Sequence, residues 1–357
     1  MSVSIVVTTA DDAADAEECL EGVAALARPG DQIVAVDAGS RDGTDRILRA
    51  FMDRGGAGPG VEWHIVELGV RPPGGPGIAS NVGVDAATRD YVLFVRGGDR
   101  AEPLGRTRAL VAARERAADV TLANYARAEG GAADAALWGA PPGAVPDRLR
   151  ALRHDPVPGR TLLRRAFLVE RGLRHPEGTA WDEAAFHWRV YAAAERIAFA
   201  DAVLCRRAAA AAPAAPHAAA LHDAVVADLP AEAQVLRAEA LRQLLRGLLE
   251  EAERLTPAET LPFAADGAAA LARVPDAVWN AVAAEGGAPV MPSLLRRGEV
   301  GAVVAALQGT ALGREVAALR EEVRDAARDA AAARRSAAAV AAAARFEALR
   351  ALAPEEG

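Results

Sequence analysis

Four short strand candidates, three of them nearly continuous apolar runs, alternate with helix-patterned segments over the first hundred residues. The candidates are Val3-Ser4-Ile5-Val6-Val7, Gln32 to Val36, Val61 to Leu68 and Tyr91 to Val95. Between the first two, Ala14, Cys19, Leu20, Val23 and Leu26 recur at helical spacing, and Thr44 to Phe51 reads as a second helix. Strands without polar alternation are buried on both faces, so this order predicts a parallel sheet sandwiched by helices. Such sheets bind ligands in the crevice at the carboxyl ends of their strands. The segments that matter are therefore Thr8 to Asp12, Asp37 to Thr44 and Arg96 to Asp99. The first of these, Thr8-Thr9-Ala10-Asp11-Asp12, holds no glycine, which excludes the Gly-rich turn of a nicotinamide dinucleotide fold.

Composition removes further classes. All 41 basic residues are Arg, so chemistry that needs a lysine, such as a P-loop or a Schiff base, is excluded. A net charge of −8 gives no basic footprint for nucleic acid. Cys19 and Cys205 are too few for a disulfide framework or a Cys-rich zinc site, and Cys19 reads as a small core residue. The six histidines, 64, 154, 175, 187, 217 and 222, lack metal-site spacing and read as structural or surface residues. The first basic residue is Arg28, so the charged start of a signal peptide is absent, and no apolar run reaches the roughly 18 residues of a membrane span. The expected setting is cytoplasmic, with peripheral attachment to the inner membrane face as its variant.

At 357 residues the chain has length for about two domains. Its character changes near residue 208. Residues 1–207 carry the strands, residues 208–220 form an Ala/Pro linker, residues 221–310 read as an all-helical domain, and residues 311–357 as a helical tail. Thr256-Pro257-Ala258-Glu259 is a capping box with Pro at the first helical position. Leu236, Leu241, Leu244, Leu245, Leu248 and Leu249 form the strongest apolar face. In the tail, Leu312, Val316, Leu319 and Val323, continued by Ala326, Ala330, Ala333 and Ala337, form an a/d seam. The seam fits a homo-oligomeric coiled coil or a lone helix docked on the body.

Val36-Asp37-Ala38-Gly39-Ser40-Arg41-Asp42-Gly43-Thr44 resembles the VDxGSxDGT signature of inverting family 2 glycosyltransferases with the GT-A fold. Further landmarks follow in order: VSIVVTT at the start, Cys19-Leu20, Gly77 to Gly83, Tyr91 to Pro103, Leu162 to Arg165, Gly172 to Gly178, and Trp181-Asp182-Glu183. Together they span about residues 3–207. The helical segments around Val274 to Val278 and Leu294 to Gly298 are similar to domains that follow the catalytic domain in some bacterial polymer-modifying members. The resemblance implies a nucleotide-sugar donor and transfer by single-displacement inversion to an acceptor hydroxyl of a glycan, a cell-wall polymer or a small molecule. It implies Glu183 or Asp182 as base, the order of the two acids being swapped from the family's. The donor site would use Thr8, Asp37, Gly39, Ser40, Asp42, Ser80, Asn81 and Asp99. From the residues alone, Asp37 and Ser40 also suit a helix cap, and Asp182 and Glu183 a helix N-terminus.

Besides Ala10-Asp11, Ala38 and Ser80, which also differ from the family's usual residues, the metal-binding landmark departs from the family. Its Asp-x-Asp, which holds Mg²⁺ or Mn²⁺, is Arg96 and Gly98 here, leaving Asp99 as the one carboxylate for a metal. Two readings follow. Arg96 replaces the metal as a bidentate cation for the diphosphate, giving a metal-independent enzyme. Alternatively the site is degenerate and the domain serves as a binding or scaffold subunit.

Overall fold

The computed structural model describes residues 1–71, 77–127, 147–154, 157–177, 182–207, 234–253, 255–286 and 289–310, and positions 312, 321, 324 and 328 of a further helix. The chain opens as β1 (Val3–Thr9), α1 (Ala16–Leu26), β2 (Gln32–Asp37), α2 (Thr44–Asp53), β3 (Glu62–Glu67), α3 (Gly77–Ala86) and β4 (Tyr91–Arg96). These are the elements expected, with one local difference. Ala14 is exposed ahead of α1, and Ala16 takes the inward position instead. There follow β5 (Arg100–Ala101), α4 (Pro103–Glu115), β6 (Val120–Arg127), α5 (Asp147–Leu152), a 3₁₀ turn (Pro158–Arg160), β7 (Thr161–Arg164), α6 (Arg165–Glu170), α7 (Asp182–Ala193) and β8 (Ile197–Arg207).

The sheet runs in the order β3-β2-β1-β4-β7-β6-β8-β5. Its β3-β2-β1-β4 half is parallel, as the alternation predicts. The other half corrects that expectation: β7 lies antiparallel between β4 and β6, and β5 is antiparallel to β8. A four-residue strand is placed by partners far away in sequence, so no local pattern reveals it. The edge strand β3 is only half-buried, whereas β1 and β2 are buried along their whole length. A mixed sheet with helices on its faces, whose ligand loops follow the parallel strands, is a GT-A-type architecture.

The helical part comprises α8 (Gln234–Ala252), α9 (Thr260–Arg273), α10 (Asp276–Gly286), α11 (Val290–Arg296) and a helix over 300–310. The capping box forms, with Thr256 donating from both its backbone N–H and its hydroxyl to the Glu259 carboxylate at 2.9 and 2.8 Å. It sits one turn early: residues 257–259 make a turn and the helix starts at Thr260. Leu241, Leu244, Leu245 and Leu248 of α8 are buried as the apolar face predicts. They pack in one continuous core with Ala151 and Leu152 of α5 and Phe186, Trp188 and Tyr191 of α7. The expected linker, 208–220, and nearly all of the tail seam lie outside the described residues; of the seam only Leu312 is described, and it is exposed.

Candidate active site

Three strand ends build the floor. Parallel register sets Thr8 of β1 between Val36 of β2 and Arg96 of β4, and Thr9 beside Asp37. After β4 the chain turns back at once. The Gly97 N–H donates to the Thr8 carbonyl at 2.9 Å and the Asp99 N–H to the Arg96 carbonyl at 2.8 Å. A side chain at position 97 would stand 2.3 Å from Asp12 Oδ2, so only glycine lets this turn lie against Asp12. Burial raises the Asp12 carboxyl above its ordinary range, opposed by the hydrogen bond from the Ala10 N–H. Asp99 is buried at the end of the turn.

The loop after β2 is organised by its own carboxylates. Asp37 Oδ2 accepts the N–H groups of Gly39 and Ser40 at 3.1 and 3.0 Å. Its Oδ1 accepts the hydroxyls of Ser40 and, at 3.2 Å, Thr9. Both oxygens thus carry two bonds, and Asp37 builds the turn from within. Ser40 in turn accepts the Asp11 N–H at 2.9 Å, tying this loop to the one after β1. Gly39 has φ +78°, and a Cβ there would lie 2.4 Å from the backbone of Val70 and Arg71. Asp42 is exposed and accepts the Thr44 hydroxyl and the Ala13 N–H, which hold its carboxyl below the usual range.

Helix α3 contributes Ser80 and Asn81, both buried. Asn81 grips the backbone of His175: its amide donates to the His175 carbonyl at 2.9 Å and its Oδ1 accepts the His175 N–H at 2.8 Å. The residue expected to touch a donor therefore places a histidine. That ring stacks on Phe186, with centroids 3.7 Å apart, and meets the edge of Phe94.

Arg96, expected to bind a diphosphate, and Glu183, one of the two expected bases, meet directly. The Arg96 guanidinium donates to Glu183 Oε1 at 2.7 Å, with the carboxylate side chain 14% exposed and the arginine 33%. His175 Nε2 and His187 Nδ1 both stand 3.6 Å from Glu183 Oε2, and both imidazoles are fully buried. Burial opposes ionisation of Glu183, but Arg96 and His175 outweigh it and hold the carboxyl far below the usual range. His187 donates through Nδ1 to the Glu183 carbonyl at 2.8 Å, one helical turn back. Burial pushes its pKa down to about 4, against the pull of Glu183. Asp182 opens α7, and its side chain lies outside the described residues.

The histidines at 175 and 187 read as merely structural in the sequence, yet both address the candidate base. His187 is legible in hindsight as the i+4 neighbour of Glu183, whereas His175 reaches it through the Asn81 contact, which spacing cannot show. Arg160, fully buried, was also outside the expected set. It donates to the Ala123 carbonyl at 2.9 Å and lies over the Tyr125 ring.

A divalent cation needs several hard oxygen ligands. The positions that would supply them are a guanidinium and a glycine. Among the described residues, no three His, Cys, Asp or Glu side chains form a group that could hold a metal ion. The residues present do not fit a protein-held Mg²⁺ or Mn²⁺.

A mixed sheet with these strand-end loops is a GT-A-type fold. The sequence model of glycosyl transferase family 2 matches residues 4–137 of the chain. Among solved structures the chain is similar to S. aureus TarS 1-349 in complex with UDP-GlcNAc, at 19% identity and a TM-score of 0.66 over 87% of this chain and 91% of that one. The same TarS segment in complex with UDP matches at 19% identity and a TM-score of 0.65, with the same coverage. The match extends past the α/β part into the helices. No curated protein matches the chain by sequence.

Proposed function

We propose that this protein transfers a sugar from a nucleotide-sugar donor to an acceptor hydroxyl by single displacement with inversion. The observation that carries this is the meeting of Arg96 and Glu183 above the carboxyl ends of β1 and β4, in a chain that the family 2 model matches over residues 4–137. Glu183 takes the proton of the acceptor hydroxyl, whose oxygen attacks the anomeric carbon. The bond from that carbon to the diphosphate breaks, and the leaving group carries off the electron pair. Arg96 neutralises the charge that develops there, a task for which a bidentate guanidinium is suited. Asp37, Ser40 and Asp42 shape the loop on which the nucleoside rests, and Asp99 closes the turn beneath the diphosphate. The complexes of TarS with UDP and UDP-GlcNAc favour a uridine nucleotide as donor. Among the described residues no helix is long and apolar enough to cross a membrane, which fits a chain working in the cytoplasm or peripherally at the inner membrane face.

A second reading has its own support: Asp37 is saturated within its loop, and Arg96 is already paired with Glu183 Oε1. That is what a degenerate binding or scaffold subunit would show. A panel of UDP-, GDP- and dTDP-sugars, scored by thermal shift with EDTA and with Mn²⁺, separates the two. Stabilisation by one nucleotide class that persists in EDTA supports the metal-independent transferase. No shift with any donor supports the scaffold, and a shift that requires Mn²⁺ overturns the role given to Arg96.

A further inference from the structure

The Arg96–Glu183 contact uses up the two groups that sugar transfer would need apart. A guanidinium already neutralised by a carboxylate offers less charge to a diphosphate. A carboxylate held by a guanidinium is a poor base toward a hydroxyl. The surroundings are asymmetric. Arg96 is one third exposed and sits at the end of β4, so its head can turn toward the crevice. Glu183 is held from the other side. His175 lies against its Oε2, fixed by the Asn81 grip and the stack on Phe186. His187 lies against the same oxygen from within α7. If Arg96 leaves, Glu183 has buried neighbours that keep it in position.

Resting on the transferase reading above, we infer that the Arg96–Glu183 ion pair is a latch opened by the donor. The diphosphate takes the Arg96 guanidinium, and His175 and His187 act as positioning residues that retain the released Glu183 carboxylate as base. The direction follows from charge. A nucleoside diphosphate brings two or more negative charges against the single one of Glu183, and it can accept the guanidinium bidentately. Released from Arg96, Glu183 loses the strongest influence holding its carboxyl down, while the burial that raises it remains. The site then gains a stronger base only when a donor is in place, which limits proton transfer in the empty site. Among the described residues, Asp12 also acts electrostatically on Arg96, and Arg160 on His187.

The latch makes an unusual prediction for the full-length protein, read as UDP affinity by calorimetry. Glu183→Gln removes the competitor for Arg96 and should bind UDP roughly tenfold tighter than wild type, the weight of one charge-assisted hydrogen bond. Glu183→Asp, too short to hold Arg96 as closely, should tighten binding by a smaller factor and serves if the Gln variant fails to fold. Arg96→Ala should weaken binding, and adding Glu183→Gln to it should change nothing further, because the coupling is then gone. Wild-type binding with no tightening in either Glu183 variant overturns the latch and leaves the nucleotide site standing. Absence of UDP binding in wild type and all variants overturns the uridine donor site and the latch together.

Discussion

A carboxylate with four bonds made inside its own loop is costly to remove. Asp37→Ala leaves the N–H groups of Gly39 and Ser40 and the hydroxyls of Ser40 and Thr9 without their common acceptor. Hydrogen bonds to a charged group are worth about 1.5–3 kcal/mol each, but water re-solvates part of this loop, so a loss of roughly 2–4 kcal/mol is expected in urea unfolding. Nucleotide affinity should fall with it, because the turn that shapes the nucleoside loop is lost. A variant within about 0.5 kcal/mol of wild type, the usual range of a neutral surface change, would show that the turn does not depend on Asp37. His187 carries the second residue-scale prediction. Folded, its pKa is about 4; unfolded, it returns to about 6.5. Between those values the unfolded chain binds a proton that the folded chain refuses. Stability from the neutral buried ring is therefore complete above pH 6.5 and is lost as pH falls toward 4, by on the order of 3 kcal/mol. Glu183, whose folded pKa is depressed, adds its own loss only below its ordinary value near 4.5. Urea unfolding between pH 7.5 and 4.5 should show a slope that His187→Gln flattens; equal slopes would remove His187 from the account. The sequence made Glu183 and Arg96 visible as separate candidates, through a motif and a broken motif. It could not show that they touch, because 87 residues separate them and a side-chain pairing across that distance leaves no periodic trace.

At the scale of elements, the legible part was local and the illegible part was long-range. Strands β1, β2 and β4 each carry an unbroken apolar run, Ile5 to Val7, Ile33 to Val36 and Tyr91 to Val95, and announce themselves, since both faces are buried there. Strand β7 is four residues, and it is a strand only because β4 and β6 flank it. The helical part holds a further tie that pattern reading passed over. Arg296 of α11 donates to the Leu271 and Val274 carbonyls at 2.6 and 2.8 Å, where α9 ends, and to Asp276 Oδ1 at 2.6 Å, where α10 begins. Its guanidinium lies 4.8 Å from the Trp279 ring centroid. One side chain thus satisfies carbonyls at a helix C-terminus and joins three helices. Arg296→Met keeps the aliphatic stem and removes those bonds, and should cost roughly 2–3 kcal/mol. Arg296→Lys, with one ammonium for several acceptors, should recover only part. A Met variant as stable as wild type would show that water replaces the clamp at no cost.

Across the whole molecule, the question is whether the chain divides where its composition does. The Ala/Pro stretch reads as a boundary between an α/β domain and a helical one. The packing argues for one unit. Leu241, Leu244 and Leu248 of α8 share a core with Leu152 of α5 and Phe186 and Tyr191 of α7, and the same core continues to Leu271 and Leu295. At its rim Glu239 of α8, buried, lies 3.6 Å from Arg153 Nε just after α5 and 2.9 Å from Arg242. Helix α7 is therefore joined to the helices beyond the supposed linker through α5 and the core they share, and α7 carries Glu183. Stripping α8 away would expose Leu152 and leave its apolar neighbours facing water, at about 25 cal/mol for each Å² uncovered. We expect a single cooperative thermal transition, with a calorimetric enthalpy close to the van't Hoff value, in place of two separable meltings. We expect a fragment ending at residue 207 to be poorly soluble and to lose the Arg96–Glu183 geometry, because the helix that holds the glutamate has lost its support. Two well-resolved transitions, together with a soluble 1–207 fragment that binds UDP as the full chain does, would show that the division seen in the composition is also a physical one.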